Sequence, residues 1–136
     1  MFNSKKFDRS VQPWEVMPAD AGTYKAGQIL RINNGKVGGL IGALTTVPPY
    51  VCMADKKITT AGDLLPVMRV TEDTIFEAPL SALTAGAKPG AKLQVAADGL
   101  GVNGTAAGAF EVTQLMAGTA MGDLVRGRFT VDAPGA

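Results

Sequence analysis

Residues 50–80 read YVCMADKKITTAGDLLPVMRVTEDTIFEAPL, and the fold turns on them. Residues 50–54 are a short apolar run closed in by Pro48-Pro49 on one side and Asp55-Lys56-Lys57 on the other. Residues 65–71 are rich in apolar and β-branched side chains, Glu72-Asp73 interrupts them, and 74–78 resumes. Pro79 ends the last run, because proline has no N–H to give to a ladder. Such runs, separated by turn residues, predict strand, loop, strand, tight turn, strand. This unit is expected at the centre of an antiparallel domain, with the downstream chain adding strands to it.

Working outward, 28–32 predicts a strand, and Asn33-Asn34-Gly35 supplies residues that tolerate positive φ, as a hairpin needs. Lys36-Val37 begins the return, and Gly38-Gly39 predicts a bulge or a close approach of backbones. Leu40-Ile41-Gly42-Ala43-Leu44 fits a short strand or a helical turn. Residues 45–49 form an extended connector. Downstream, 79–84 predicts one short helical turn and Lys88-Pro89-Gly90 a turn. Lys92-Leu93-Gln94-Val95 alternates polar and apolar, the mark of a strand with one wet face. Asp98-Gly99 signals a hairpin, 110–113 alternates again, and 118–122 is a loop. The last strand spans 124–131, with Val125, Phe129 and Val131 on one face and Arg126, Arg128 and Thr130 on the other. Roughly seven to nine short strands with at most one helical turn argue for an all-β fold, a small antiparallel β-barrel or β-sandwich.

Residues 1–26 read as an extended N-terminal arm before a single β-rich domain at 27–136. Phe2, Phe7, Val11, Trp14, Val16 and Met17 are apolar without a clean period, and Pro13 and Pro18 cut the segment. An arm with the only Trp needs a partner for it. Either it packs on its own domain, with Trp14 as a plug, or these six residues anchor it to a neighbouring subunit. In the second case, removing residues 1–22 should weaken partner binding and leave the domain folded.

Composition narrows the function. The chain has 136 residues, 46% of them hydrophobic, with 17 Gly and 8 Pro, which suits one turn-rich domain with a core. A net charge of +1 gives no electrostatic case for nucleic acid or for a polybasic membrane anchor. No apolar run reaches the ~18 residues that span a bilayer. The first residues carry no hydrophobic signal segment, so synthesis in a cytoplasm is expected. With one Cys and no His, the chain has neither an intrachain disulfide nor Cys/His zinc sites nor His-based nucleophilic systems. No catalytic residue, metal ligand or cofactor site is expected, and the chain does not read as an enzyme.

The remaining candidates have ordinary explanations. Gly99-Leu100-Gly101-Val102-Asn103-Gly104 matches G-x-G-x-x-G, but no helix of useful length fits before Phe110, so turns at a hairpin end are expected. Glu72-Asp73, with Glu77 nearby, reads as an acidic turn, since adjacent strand residues point to opposite faces. Lys5-Lys6 and Asp55-Lys56-Lys57 read as solvated charge. Arg126 and Arg128 read as surface charges or as partners for acids on another subunit. Cys52, in an apolar run, reads as a buried inert thiol.

The order Tyr-Val-Cys-Met-Ala-Asp at 50–55, Ala-Gly-Asp at 61–63, Pro-Val-Met-Arg-Val at 66–70 and Phe-Glu-Ala-Pro-Leu at 76–80 resembles the small head decoration, or cement, proteins of tailed bacteriophages. Lys25-Ala26-Gly27-Gln28-Ile29-Leu30, Asn34-Gly35-Lys36 and Ala97-Asp98-Gly99-Leu100 fit the same pattern, and the resemblance spans roughly residues 12–130. It implies a structural protein without an active site, made in the bacterial host cytoplasm and coating the outer surface of the expanded capsid in the virion. The implied partners are the major capsid protein and copies of the chain itself, as a trimer near capsid three-fold positions, with the arm contacting neighbouring subunits. Neither nucleic acid nor membrane is implied. The alternative is a small β-barrel that binds a nucleotide or sugar through the Gly-rich loop 99–104.

Overall fold

The computed structural model describes residues 2–6, 14–104 and 108–131. Among them the chain forms thirteen strands and no helix: β1 (Asn3–Lys6), β2 (Trp14–Pro18), β3 (Gly22–Tyr24), β4 (Ile29–Asn33), β5 (Lys36–Gly39), β6 (Tyr50–Cys52), β7 (Lys56–Ile58), β8 (Leu64–Arg69), β9 (Ile75–Pro79), β10 (Lys92–Val95), β11 (Val102–Asn103), β12 (Phe110–Leu115) and β13 (Leu124–Phe129). They build a six-stranded sheet in the order β1-β9-β13-β12-β10-β11, a five-stranded sheet β2-β8-β6-β4-β5 and a two-stranded sheet β3-β7. Every pairing between these strands is antiparallel. The expected all-β barrel or sandwich class is what the chain adopts.

The five-stranded sheet is apolar on both faces. Ile29, Val51 and Met68 stand opposite one another across β4, β6 and β8 and enter the main core with the six-stranded sheet. The alternate residues Leu30, Tyr50, Cys52, Leu65 and Val67 point the other way, into a second core that also holds Val37, Tyr24 and Ile58. Successive strand residues face opposite sides, so a strand covered on both sides loses the wet face. Tyr50, Val51 and Cys52 are accordingly all buried. The β3-β7 pair supplies Tyr24 and Ile58 to the second core. The five-stranded sheet also curls, so that its two outer strands meet. Ala19, just past β2, bridges Val37 of β5 in parallel, and the Asp20 N–H donates to the Val37 carbonyl at 2.9 Å. Asp20 Oδ2 also takes the Arg31 guanidinium at 3.2 Å, and a Cβ at Gly38 would lie 2.8 Å from that same oxygen.

The main core is centred on four phenylalanines. Phe110 and Phe129 meet edge-to-face at 5.2 Å between centroids, Phe76 and Phe129 at 5.8 Å, and Phe2 lies 5.7 Å from both Phe110 and Phe129. These separations are those of favourable aromatic pairs. Gly127 of β13 makes room for them, since a Cβ there would stand 2.7 Å from the Phe110 ring. The outer face of this sheet is charged in register: Arg126 pairs with Glu77 at 3.1 Å and Arg128 with Glu111 at 3.2 Å.

Four expectations change. Residues 50–80 do not stay in one sheet: β6 and β8 are neighbours, but β9 belongs to the six-stranded sheet. The turn between β8 and β9 therefore crosses from one sheet to the other. It is held by a bond between the Thr71 and Thr74 hydroxyls at 3.1 Å and by Glu72, whose carboxylate accepts from Thr130 Oγ1 at 3.3 Å. Residues 40–44 are neither strand nor helical turn; Leu44 alone bridges Val95, with an N–H to carbonyl bond of 2.9 Å in each direction. Residues 79–84 form no helical turn either. Their amides are spent on other segments, Leu80 donating to Asp123 at 2.9 Å and Ser81 to Val102 at 2.8 Å.

The fourth change concerns residues 1–26. Residues 1 and 7–13, Phe7 and Val11 among them, lie outside the described residues, but the described part of the expected arm is woven into the domain, with β1 on β9, β2 on β8 and β3 on β7. Phe2 is 2% exposed, and its N–H donates to the Gly27 carbonyl at 2.7 Å. It fills the core of its own chain and is not an anchor for a neighbour. Removing a buried phenylalanine costs about 3–5 kcal/mol. Phe2→Ala is thus expected to lower the unfolding free energy by about 3 kcal/mol or more in urea titration, where a residue of a free arm would leave the midpoint unmoved.

Candidate interaction surface

β2 is an outer strand of the five-stranded sheet, and the alternation along it sorts its side chains. Glu15 and Met17 point toward the second core, where Met17 packs half-buried on Leu65 and its neighbours. Trp14, Val16 and Pro18 point to the opposite face, the one that elsewhere feeds the main core. Their partners across the ladder are Met68, Pro66 and Leu64. Met68 is buried, but from there outward the six-stranded sheet no longer covers the face. Trp14 is 60% exposed, Val16 58% and Leu64 50%. The result is an apolar stripe two strands wide that continues the main core onto the surface. On the opposite face of the same strands, Arg69 pairs with Glu15 at 3.4 Å and lies 5.3 Å above the centre of the Tyr50 ring.

Of the six residues expected to contact a partner, Trp14 and Val16 are brought together on this stripe. Met17 faces inward, Phe2 is in the main core, and Phe7 and Val11 are not among the described residues. Leu64 and Pro66 were missed in the sequence, although the pattern Leu64, Pro66, Met68 at alternate positions carried the signal. The strand, read from Leu65, begins one residue earlier, at Leu64.

The glycine-rich stretch 99–104 is built for packing. Residues 96–101 join β10 to β11, and Gly99 takes φ 74° there. A Cβ on Gly99 would lie 2.7 Å from the Ile29 carbonyl oxygen, one on Gly101 2.7 Å from that of Pro79, and one on Gly104 2.6 Å from Thr84 Cγ2. Each glycine thus admits a neighbouring segment, and no helix follows among the described residues. A cavity of about 270 Å³ lies beside Gly104, between the Leu83–Gly86 segment and Ala91, Lys92 and Leu93. It falls just short of the ~300 Å³ at which small-molecule sites begin.

The charged candidates serve the fold. Glu77 and Arg126 face each other within the sheet, as do Glu111 and Arg128, so both arginines pair with acids of their own chain. Asp55 accepts the Ala26 N–H at 2.8 Å, and Lys56 donates to the Leu64 carbonyl at 2.8 Å. Among the described residues, no three His, Cys, Asp or Glu side chains are grouped to hold a metal, and no helix is long and apolar enough to cross a membrane. The sequence matches no protein-family model and no curated protein.

Cys52 is fully buried in the second core, and burial pushes its thiol above the ordinary range. Only the thiolate attacks thiol reagents. Native protein at neutral pH is therefore expected to resist a thiol-specific reagent and to react at once when unfolded in guanidinium. Rapid modification of the native chain would contradict the burial of β6.

Proposed function

We propose that this chain is a structural head decoration protein that binds the outer surface of a phage capsid and stabilises the expanded shell. One observation carries the reading: the uncovered apolar stripe of Trp14, Val16 and Leu64 on an outer strand. Exposed tryptophan beside aliphatic side chains is the composition of a protein-binding hot spot. The resemblance to decoration proteins supplies the partner class. The residues that carry it, at 50–55, 66–70 and 76–80, fall largely on β6 and β8, which feed both cores, and on β9, which feeds the main core. On this reading they make the scaffold and the stripe makes the contact with the major capsid protein. Copies of the chain assemble at three-fold positions of the shell, and the site of action is the virion exterior.

A specific interface buries at least ~1,000 Å² in total, so the stripe is the centre of a larger footprint. The test uses point variants. Deleting residues 1–22 would remove Phe2 from the core as well as β2, and loss of binding would then report unfolding. Full-length protein is mixed with expanded, undecorated heads of its phage and sedimented. Saturable binding at a fixed ratio to the major capsid protein is expected. Trp14→Ser combined with Val16→Ser should weaken it by about thirtyfold or more, as loss of a hot spot does, with an unchanged melting curve. Absence of binding by the wild-type chain, or equal binding by the folded double variant, would sink the proposal.

A further inference from the structure

The chain contains two Asn-Gly pairs, Asn34-Gly35 and Asn103-Gly104. Glycine has no Cβ, so its amide nitrogen is the least shielded nucleophile that can follow an asparagine. The two pairs have the same chemistry in opposite settings. Asn34 (φ 51°) and Gly35 (φ 74°) form the two-residue turn between β4 and β5, the positive-φ hairpin turn that Asn-Gly favours. Both are exposed, and nothing lies within 4 Å of the position a Cβ would take on Gly35. Among the described residues, neither the Asn34 side chain nor the Gly35 amide has a hydrogen-bond partner. Asn103 lies on β11 and is held at both ends of its amide. Its Oδ1 accepts from Gln94 Nε2 at 2.8 Å, and its Nδ2 donates to Ser81 Oγ at 3.0 Å.

We infer that Asn34 is a site of spontaneous deamidation and that the fold protects Asn103. The Gly35 amide nitrogen attacks Asn34 Cγ, a nitrogen–carbon bond forms, and the Cγ–Nδ2 bond breaks. Ammonia leaves with the two Nδ2 hydrogens and the Gly35 amide proton, closing a five-membered imide. Water then opens the ring at one of its two carbonyls. Opening at Cγ gives aspartate at position 34, and opening at the backbone carbonyl gives an isoaspartyl linkage that routes the main chain through the side chain. No oxidant or cofactor enters. Either product adds one negative charge, taking the formal net charge from +1 to zero. The isoaspartyl form also lengthens a turn that sets the Asn33–Lys36 register of β5, the strand whose Val37 carbonyl closes the curled sheet. For Asn103 to react, its amide must first leave Gln94 and Ser81, and two hydrogen bonds of ordinary strength slow that step by about tenfold or more.

The test is peptide mass spectrometry of the full chain aged in mildly alkaline buffer, with isoaspartate scored enzymatically. Acid is expected to accumulate at position 34 about tenfold or more faster than at 103 in the folded protein. The two rates should converge when the chain is aged unfolded in urea, which shows that the fold makes the difference. Asn34→Gly, which keeps a residue suited to positive φ, should abolish the new acidic species seen on ion exchange. Equal conversion at both sites in the folded chain overturns the inference. So does an unmodified Asn34 over a period in which the unfolded chain reacts.

Discussion

The structure depends on one sheet being apolar on both sides. β4, β6 and β8 each send alternate residues into two separate cores, so neither core is complete without them. Burying both faces of a strand removes the apolar area of every residue from water, at ~25 cal/mol per Å², and leaves no position along Tyr50–Cys52 where a polar side chain is cheap. The rest follows from that constraint. The six-stranded sheet covers one face, and the curl of the sheet with the β3-β7 pair closes the other. Where the cover on the first face stops, the apolar pattern does not, and the Trp14 stripe is the remainder.

The aromatic cluster ties the N-terminus into this arrangement. Phe2, just before the edge strand β1, reaches the three phenylalanines of β9, β12 and β13. Its amide is tied to Gly27, whose own N–H donates to the Cys52 carbonyl at 2.7 Å. The first described residue is thus linked by two backbone bonds to β6, the strand between both cores. Charge contributes less: the Glu77–Arg126 and Glu111–Arg128 pairs lie on a partly wet face, where ion pairs add little. They fix the register of β13 between its neighbours.

Much of the fold was legible in the sequence where a period existed. Lys92–Val95 was found to the residue from its polar–apolar alternation, although Gln94 on its expected wet face is buried, and Phe110–Leu115 and Leu124–Phe129 were found to within two at each end. The Asn34-Gly35 hairpin was legible from its chemistry alone. Short strands without alternation carry no such signal. β1, β3 and β7 escaped for that reason, and Lys56-Lys57 read as loop charge because only Ile58 of β7 turns inward. The change of sheet between β8 and β9 was invisible too, since alternation tells which face a residue takes and not which strand lies beside it. For the candidate surface, the sequence found Trp14 and Val16 by their need for a partner. It could not separate them from Phe2, because burial of Phe2 depends on strands more than seventy residues away.

The most direct test of the shared sheet is native-state hydrogen exchange at the Cys52 and Met53 amides, which donate to Gln28 at 2.8 Å and Pro66 at 3.0 Å. If both cores hang on β6, these amides exchange only when the whole molecule unfolds, and their exchange free energy equals the unfolding free energy from denaturant titration. If they instead exchange through a local opening while Val112 and Thr130 in the six-stranded sheet stay protected to the global limit, the two cores are separable and the middle sheet does not hold the molecule together.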